Sequence, residues 1–413
     1  LEGNILEIEK ESSLRTQAKC VHFGLCGGCK WQHVRYKEQL QFKWQQVKDA
    51  LDRIGKVSYP KINPILGAPQ QFAYRNKMEY TATANRWLTQ DEVDSNENLD
   101  RDGMGFHIPG RFDRVFHMSE CHLAPNTSNR IRDFIYDKAK ELGISFYDIR
   151  EQSGCLRTVM IRSNSANEWM FFITVQNPEI SVLETLLKAI QEEFPEVKSL
   201  NYAVNNKKND SFYDLEIVTF SGEPVIQENL AGLNFRIHPK SFFQTNTEQA
   251  KALYDLTLKY CNLEGGEVVY DLYTGTGTIA CYLAQKANKV VGVESVPEAI
   301  EDAIKNAEQN QISNCEFLVG DMKEVFTSDF QETHGKADVI VCDPPRAGMH
   351  EDVVKQLLQI EAKRIVYVSC NPATQARDLS LLCEKYQIVE VQPVDMFPHT
   401  HHVENIVVLE LSK

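Results

Sequence analysis

Arg364-Ile365-Val366-Tyr367-Val368-Ser369-Cys370-Asn371-Pro372 is an apolar, β-branched run broken off by Asn-Pro. Such a run reads as a buried parallel strand, covered on both faces, with a cysteine left at its carboxyl tip. In an open α/β sheet ligands bind at that end. A strand-tip cysteine often only packs, but a second tip stands one helix earlier, in Val339-Ile340-Val341-Cys342-Asp343-Pro344-Pro345-Arg346. Two adjacent strands then deliver a thiol, Cys370, and a carboxylate, Asp343, to one crevice. The two prolines hold the backbone so that the carboxylate leaves the strand tip.

Working outward, strands are predicted at 267–272, 289–294, 315–319, 337–342, 364–369, 387–393 and 403–411, with crossover helices between the early ones. This is a Rossmann-like doubly wound α/β sheet, its last two strands forming a hairpin at the edge. In Val268-Val269-Tyr270-Asp271-Leu272-Tyr273-Thr274-Gly275-Thr276-Gly277-Thr278 the first strand runs into a Gly-Thr-Gly turn and a helix. The turn lacks the third glycine of a dinucleotide fingerprint, so pyrophosphate binding is weakly supported. Glu294, ending the next strand, is placed to accept hydrogen bonds from ribose hydroxyls. A nucleoside without pyrophosphate fits, and S-adenosyl-L-methionine is the common one; Asp321, ending the third strand, would lie near its adenine amino group. Related methyltransferases acting on exocyclic amines end a strand in Asn/Asp-Pro-Pro-Tyr/Phe. Arg346 in place of the aromatic speaks against amine methylation.

Upstream the rhythm differs. Strands are expected at 72–84, 103–108, 112–118, 157–162, 169–175, 198–204 and 213–219 and helices at 125–142 and 180–194, with residues 91 to 102 a surface loop. Strands and helices without βαβ alternation suggest an α+β region over about 60 to 235. Before it, Leu40, Trp44, Val47 and Leu51 form the apolar stripe of a helix; Lys37, Lys43, Lys48 and Arg53 read as its solvated or phosphate-facing side. Three domains follow: 1–19, whose alternating first residues resemble the last strand of something missing; 20–240, a cysteine cluster with the α+β region, its helix 36–55 packing on the catalytic domain; and 241–413, the methyltransferase domain.

The chain has 413 residues, 42% hydrophobic and 25% charged, with a net charge of -14. It reads as a folded cytoplasmic protein without a membrane span. The acidity argues against a protein coated in nucleic acid, but residues 1 to 60 are locally basic. Eleven cysteines without a secretion signal are thiols, metal ligands or catalytic groups. Cys20-x5-Cys26-Gly27-Gly28-Cys29, with the distant Cys121 as fourth ligand, suits an iron-sulfur cluster or zinc, and His22, His33 and His122 keep zinc open.

Together Cys20-x5-Cys26-x2-Cys29, Phe243-Gln244-x-Asn246, Asp271-Leu272-Tyr273-x-Gly275, Asp343-Pro344-Pro345-Arg346, Ser369-Cys370-Asn371-Pro372 and His402-Val403-Glu404 resemble the RumA/TrmA type of RNA (uracil-5-)-methyltransferase, over essentially the whole chain. The resemblance implies that Cys370 attacks uracil C6 and that Glu404 removes the C5 proton after methyl transfer. It also implies that Gln244, Tyr273, Thr278, Glu294 and Asp343, with Asp321 a weaker member, line the cofactor and uracil sites. By the same resemblance Cys20, Cys26, Cys29 and Cys121 hold a 4Fe-4S cluster, which leans toward ribosomal RNA, 23S in particular, as the substrate of a monomeric enzyme. Transfer RNA, or a non-catalytic RNA-binding role, are the competing readings.

Overall fold

The computed structural model describes residues 7–95, 97–326 and 328–412; the alternating stretch at residues 1 to 8 lies almost wholly outside them. Helix α1 (Tyr36–Asp49) runs directly into a π-helical turn over Ala50–Gly55. Val47, Ala50 and Leu51 pack into one apolar cluster with Tyr270, Leu357, Ala376 and Leu379. The row of lysines does not behave as its spacing suggests: Lys43 is fully buried against Asp395, so it is neither solvated nor free for a phosphate. Nothing local distinguishes it from Lys37 or Lys48; a distant loop supplies its counter-charge.

The first sheet holds β1 (Lys77–Thr83), β2 (Gly103–His107), β3 (Val115–His117), β4 (Leu156–Ser163), β5 (Trp169–Val175), β6 (Val197–Val204) and β7 (Val218–Gly222), in the order β3-β2-β1-β4-β5-β6-β7. Helices α3 (Asn126–Glu141) and α4 (Ile180–Glu193) bury Ile131, Ile135, Leu186 and Ile190 against it. Three expectations fail here. Residues 91 to 102 are not all loop, because Thr89 and Glu92 form a reciprocal capping box that starts a short helix, α2 (Gln90–Asp94). And β5 pairs with β6 in parallel through α4, a βαβ unit that the sequence pattern hid. The strand expected at 213–219 begins only at Val218. A hairpin, β8 (Ile226–Leu230) with β9 (Leu233–Ile237), was not anticipated.

The second sheet is the one decided by the opening stretch. Its strands are β10 (Val268–Leu272), β11 (Lys289–Glu294), β12 (Cys315–Val319), β13 (Val339–Cys342), β14 (Arg364–Ser369), β15 (Tyr386–Val394) and β16 (Glu404–Leu411), ordered β12-β11-β10-β13-β14-β16-β15. The first five are parallel, and β16 inserts antiparallel between β14 and β15. Side chains alternate faces along each strand. Val269, Val341, Val366 and Val368 join the core under α5 (Thr247–Cys261), α6 (Thr278–Ala284) and α7 (Pro297–Gln309). Tyr270, Ile340, Ile365 and Tyr367 join the opposite core. That core also takes up residues of α8 (Met322–Val325), α9 (Ser328–His334), α10 (Glu351–Ile360) and α11 (Pro372–Leu382). Burial on both faces is why these strands read as continuous apolar runs. The strand order reverses between β10 and β13, which opens a crevice at their carboxyl ends. Among the described residues no helix is long and apolar enough to cross a membrane.

Candidate active site

The turn after β10 is set by backbone conformation. Tyr273, Gly275 and Gly277 all have positive φ, of 65°, 55° and 75°. At Gly277 a Cβ would also come within 2.8 Å of the Ala303 Cβ, so the turn can sit against α7 only without a side chain there. Glu294 closes the turn from β11. Its Oε2 accepts from the Gly275 N–H at 3.3 Å, and its Oε1 from the N–H groups of Ser295 at 2.7 Å and Val296 at 3.1 Å. The turn amide is thus engaged by a carboxylate rather than left free for phosphate, while Oε2 keeps acceptor capacity toward the crevice. Thr278, the first residue of α6, lines the same crevice.

Two strand tips are tied together by the Asn of Ser-Cys-Asn-Pro. Its Nδ2 donates to the Arg346 carbonyl at 3.0 Å, and its Oδ1 caps α11 through the Ala373 N–H at 3.1 Å. Asp343 and Cys370 are therefore held side by side. The third group comes from β16. Ser369 pairs with Asn405 at the end of the antiparallel ladder; Cys370 follows directly after β14 and Glu404 opens β16, close enough for its charge to act on the thiol.

Crowded acids in a buried setting resist ionising. Burial, then the charge of Asp343, pushes the Glu404 carboxyl up to about 8, opposed by Arg346. Burial pushes Asp343 up to about 7. Burial and the Glu404 and Asp343 charges push the Cys370 thiol up to about 11. Asp271 sits beneath, fully buried, accepting from the Thr274 hydroxyl at 2.6 Å and itself held at about 7 by burial. Such a pocket favours a cation, and a sulfonium is one.

Gln244 lines the cleft beside the buried Tyr254. Two residues on, Asn246 caps α5 by accepting from the Gln249 N–H at 3.3 Å, and donates to the Met396 carbonyl at 2.9 Å. Asp321 is the exception among the expected residues. It caps α8 by accepting from the Lys323 N–H at 2.9 Å, is exposed, and does not line the cleft. Tyr254 and Arg346 were not foreseen as site residues. Tyr254 carries no signal, since on a helix it looks like core; Arg346 was visible only as a departure from an aromatic.

The cleft, of about 1600 Å³, extends from this centre to Cys20, Cys26, Cys29 and Cys121. The cysteine region is therefore not remote from the strand tips. Two of the four sulfurs accept hydrogen bonds, Cys26 from the Gly28 N–H at 3.4 Å and Cys29 from the Gln32 side chain at 3.2 Å. Burial still raises all four thiols, Cys26 to about 11 and Cys29 to about 12, and each is raised further by other members of the set except Cys121. Among the described residues, no group of three or more His, Cys, Asp or Glu side chains converges on a point that could hold a metal ion. His22 is engaged with Ser119 at 2.8 Å and His122 with Glu120 at 3.1 Å.

A doubly wound sheet with a nucleoside-shaped turn and a thiol at a neighbouring strand tip defines a methyltransferase fold. The sequence profile described as tRNA (Uracil-5-)-methyltransferase matches residues 221–412. An uncharacterized RNA methyltransferase of Bacteroides thetaiotaomicron is 50% identical, covering 99% of this chain and 91% of that protein. One from Chlorobaculum tepidum is 38% identical over 100% of this chain and 87% of its own length. Among solved structures, the Pyrococcus abyssi tRNA (uracil-54, C5)-methyltransferase in complex with S-adenosyl-L-homocysteine superimposes with a TM-score of 0.75 at 30% identity, over 98% of this chain and 88% of that one. The chain belongs to the tRNA (uracil-5-)-methyltransferase family of RNA methyltransferases.

Proposed function

We propose that the protein methylates C5 of a uracil in RNA, with S-adenosyl-L-methionine as methyl donor. The observation that carries this reading is the meeting of Cys370, Glu404 and Asp343 in one cleft at the strand tips. Uracil C5 is too poor a nucleophile to take a methyl group until a thiolate adds to C6 and breaks the C5–C6 double bond. Cys370 forms that bond, C5 attacks the sulfonium methyl, and the demethylated donor leaves. Glu404 then takes the C5 proton, the double bond re-forms, and the thiolate is expelled. A methyltransferase for amines or oxygens has no use for such a thiol, and a non-catalytic RNA-binding protein has no use for the pair. All three groups come from one chain, in keeping with a monomer.

The donor's ribose would meet Glu294, its sulfonium the acidic pocket, and its nucleoside the turn at Tyr273 and Thr278; Gln244 faces the uracil side. RNA would approach a cleft lined by Lys30, Arg75, Lys77, Arg111 and Arg346, a basic surface on an acidic protein. The exposed rings of Phe112 and Phe242 at its rim offer faces for stacking.

We infer from the resemblance that Cys20, Cys26, Cys29 and Cys121, which line one end of the cleft, hold a 4Fe-4S cluster. A single tetrahedral zinc would draw its sulfurs to within ~4 Å of one another, whereas a cluster takes one thiolate per iron and tolerates wider spacing. Bound there, it would supply a rigid cross-link between residues 20–29 and Cys121. By the resemblance, a cluster of this kind leans toward a ribosomal substrate. The solved relative acting on transfer RNA favours the other. Nucleoside analysis of both RNA fractions from a deletion strain tests the function: 5-methyluridine should fall in one of them, and undiminished levels in both would refute it.

A further inference from the structure

We propose that Lys43 and Gln39 of α1 are positioning residues for Glu404, acting through the loop that carries it. This deepens the reading above and rests on Glu404 being the base. The loop between β15 and β16 brings Phe397, Thr400, His402 and Glu404 to the cleft. It has little regular structure of its own, and His399 in it takes a left-handed backbone at φ 68°. Its bonds to itself are few, such as Thr400 N–H to the Phe397 carbonyl at 3.3 Å.

What holds it comes from elsewhere in the chain. The Lys43 ammonium donates to Asp395 Oδ1 at 2.5 Å and to the Phe397 carbonyl at 3.0 Å. Tyr36 donates its hydroxyl to Asp395 Oδ2 at 2.8 Å. Gln39 Oε1 accepts from the His399 N–H at 2.9 Å, and its amide nitrogen lies 3.2 Å from His399 Nδ1. The same nitrogen donates to the carbonyls of Trp31 and Val34 at 3.0 and 2.8 Å. The N–H groups of Lys30 and Trp31, directly after Cys29, both reach the His399 carbonyl, at 2.9 and 3.0 Å.

Lys43, Gln39 and Asp395 are all fully buried. A buried ion pair is a poor device for stability alone, since an apolar pair of similar volume would serve as well or better. It does fix one geometry, because every alternative leaves a charge unpaired out of water. Here that geometry is the entry of β16, where a proton acceptor must stand close to the thiol. A misplacement of about 1 Å at a reacting group costs up to ~100-fold.

The test uses the full-length protein with substrate RNA and labelled S-adenosyl-L-methionine in single turnover, separating covalent capture of RNA from its release. Lys43→Met should capture RNA at close to the wild-type rate and release it ~10- to 100-fold more slowly. Hydrogen exchange should rise over residues 395–403. Gln39→Leu leaves the ion pair in place and carries the same expectation if Lys43→Met does not fold. Equal losses in capture and release, or normal release, would overturn the proposal. Glu404→Gln run alongside separates the two claims: normal release by that variant refutes the base itself, whereas trapping by it with normal release by the α1 variants refutes only the positioning role.

Discussion

Cys370 and Glu404 flank the Ser369–Asn405 pair, the thiol one residue past the end of β14 and the carboxylate at the start of β16. Because the thiol acts before the carboxylate, their variants should fail differently. Cys370→Ala should form no adduct with RNA. Glu404→Gln should transfer the methyl group and stall, leaving protein joined to methylated RNA on denaturing gels. Labelled RNA released freely, with no trapped complex, would show that Glu404 is not the base.

The buried acids beside the thiol set a pH dependence. Glu404 at about 8 and Asp343 at about 7 lie well above carboxyls in an unfolded chain. Between those values and about 4 the folded state binds more protons, so stability is greatest at the acid end of that window and falls as pH rises through 7 and 8. Melting temperature of the ligand-free protein should therefore drop between pH 6 and 9, and less steeply in Glu404→Gln. Proton abstraction needs the ionised carboxylate, so turnover should rise over the same range. A melting temperature that rises with pH in this window would contradict both assignments.

Glu294→Gln keeps the shape of the turn but removes its charge. A hydrogen bond to a charged group contributes about 1.5–3 kcal/mol. Affinity for S-adenosyl-L-methionine should fall ~10- to 100-fold by calorimetry, with a smaller change in kcat. Asp321→Asn, outside the cleft, should leave that affinity alone.

Gly277→Ala combines a left-handed backbone with a Cβ 2.8 Å from Ala303. The conformation costs about 1–2 kcal/mol and overpacking about 1–3 more. Urea denaturation should show a loss of about 2–5 kcal/mol, and a loss under 1 would mean that the turn relaxes.

Protein purified without oxygen should contain about four irons per chain and no zinc. Cys121→Ser should lose that iron and lower the melting temperature. Stoichiometric zinc by mass spectrometry would refute the cluster.

What the sequence determined by itself is local or periodic. Strands covered on both faces must be apolar throughout, so seven strands of the second sheet were legible to within a few residues, and Asn-Pro, Asp-Pro-Pro and Gly-Thr-Gly marked where each tip ends. The motifs named the thiol and the carboxylates. Only the tertiary structure decided which of these groups meet. Asp321 ends a strand as Asp343 does, yet turns back to cap α8; Lys43 sits in a row of lysines, yet is buried. The parallel β5–β6 pair and the cleft shared by the four cysteines and Cys370 were likewise invisible. The reason is physical. Periodicity reports which face of an element is covered, whereas the partner of a buried charge or a strand edge is chosen by chain far away in sequence, through pairing and desolvation that no local pattern records.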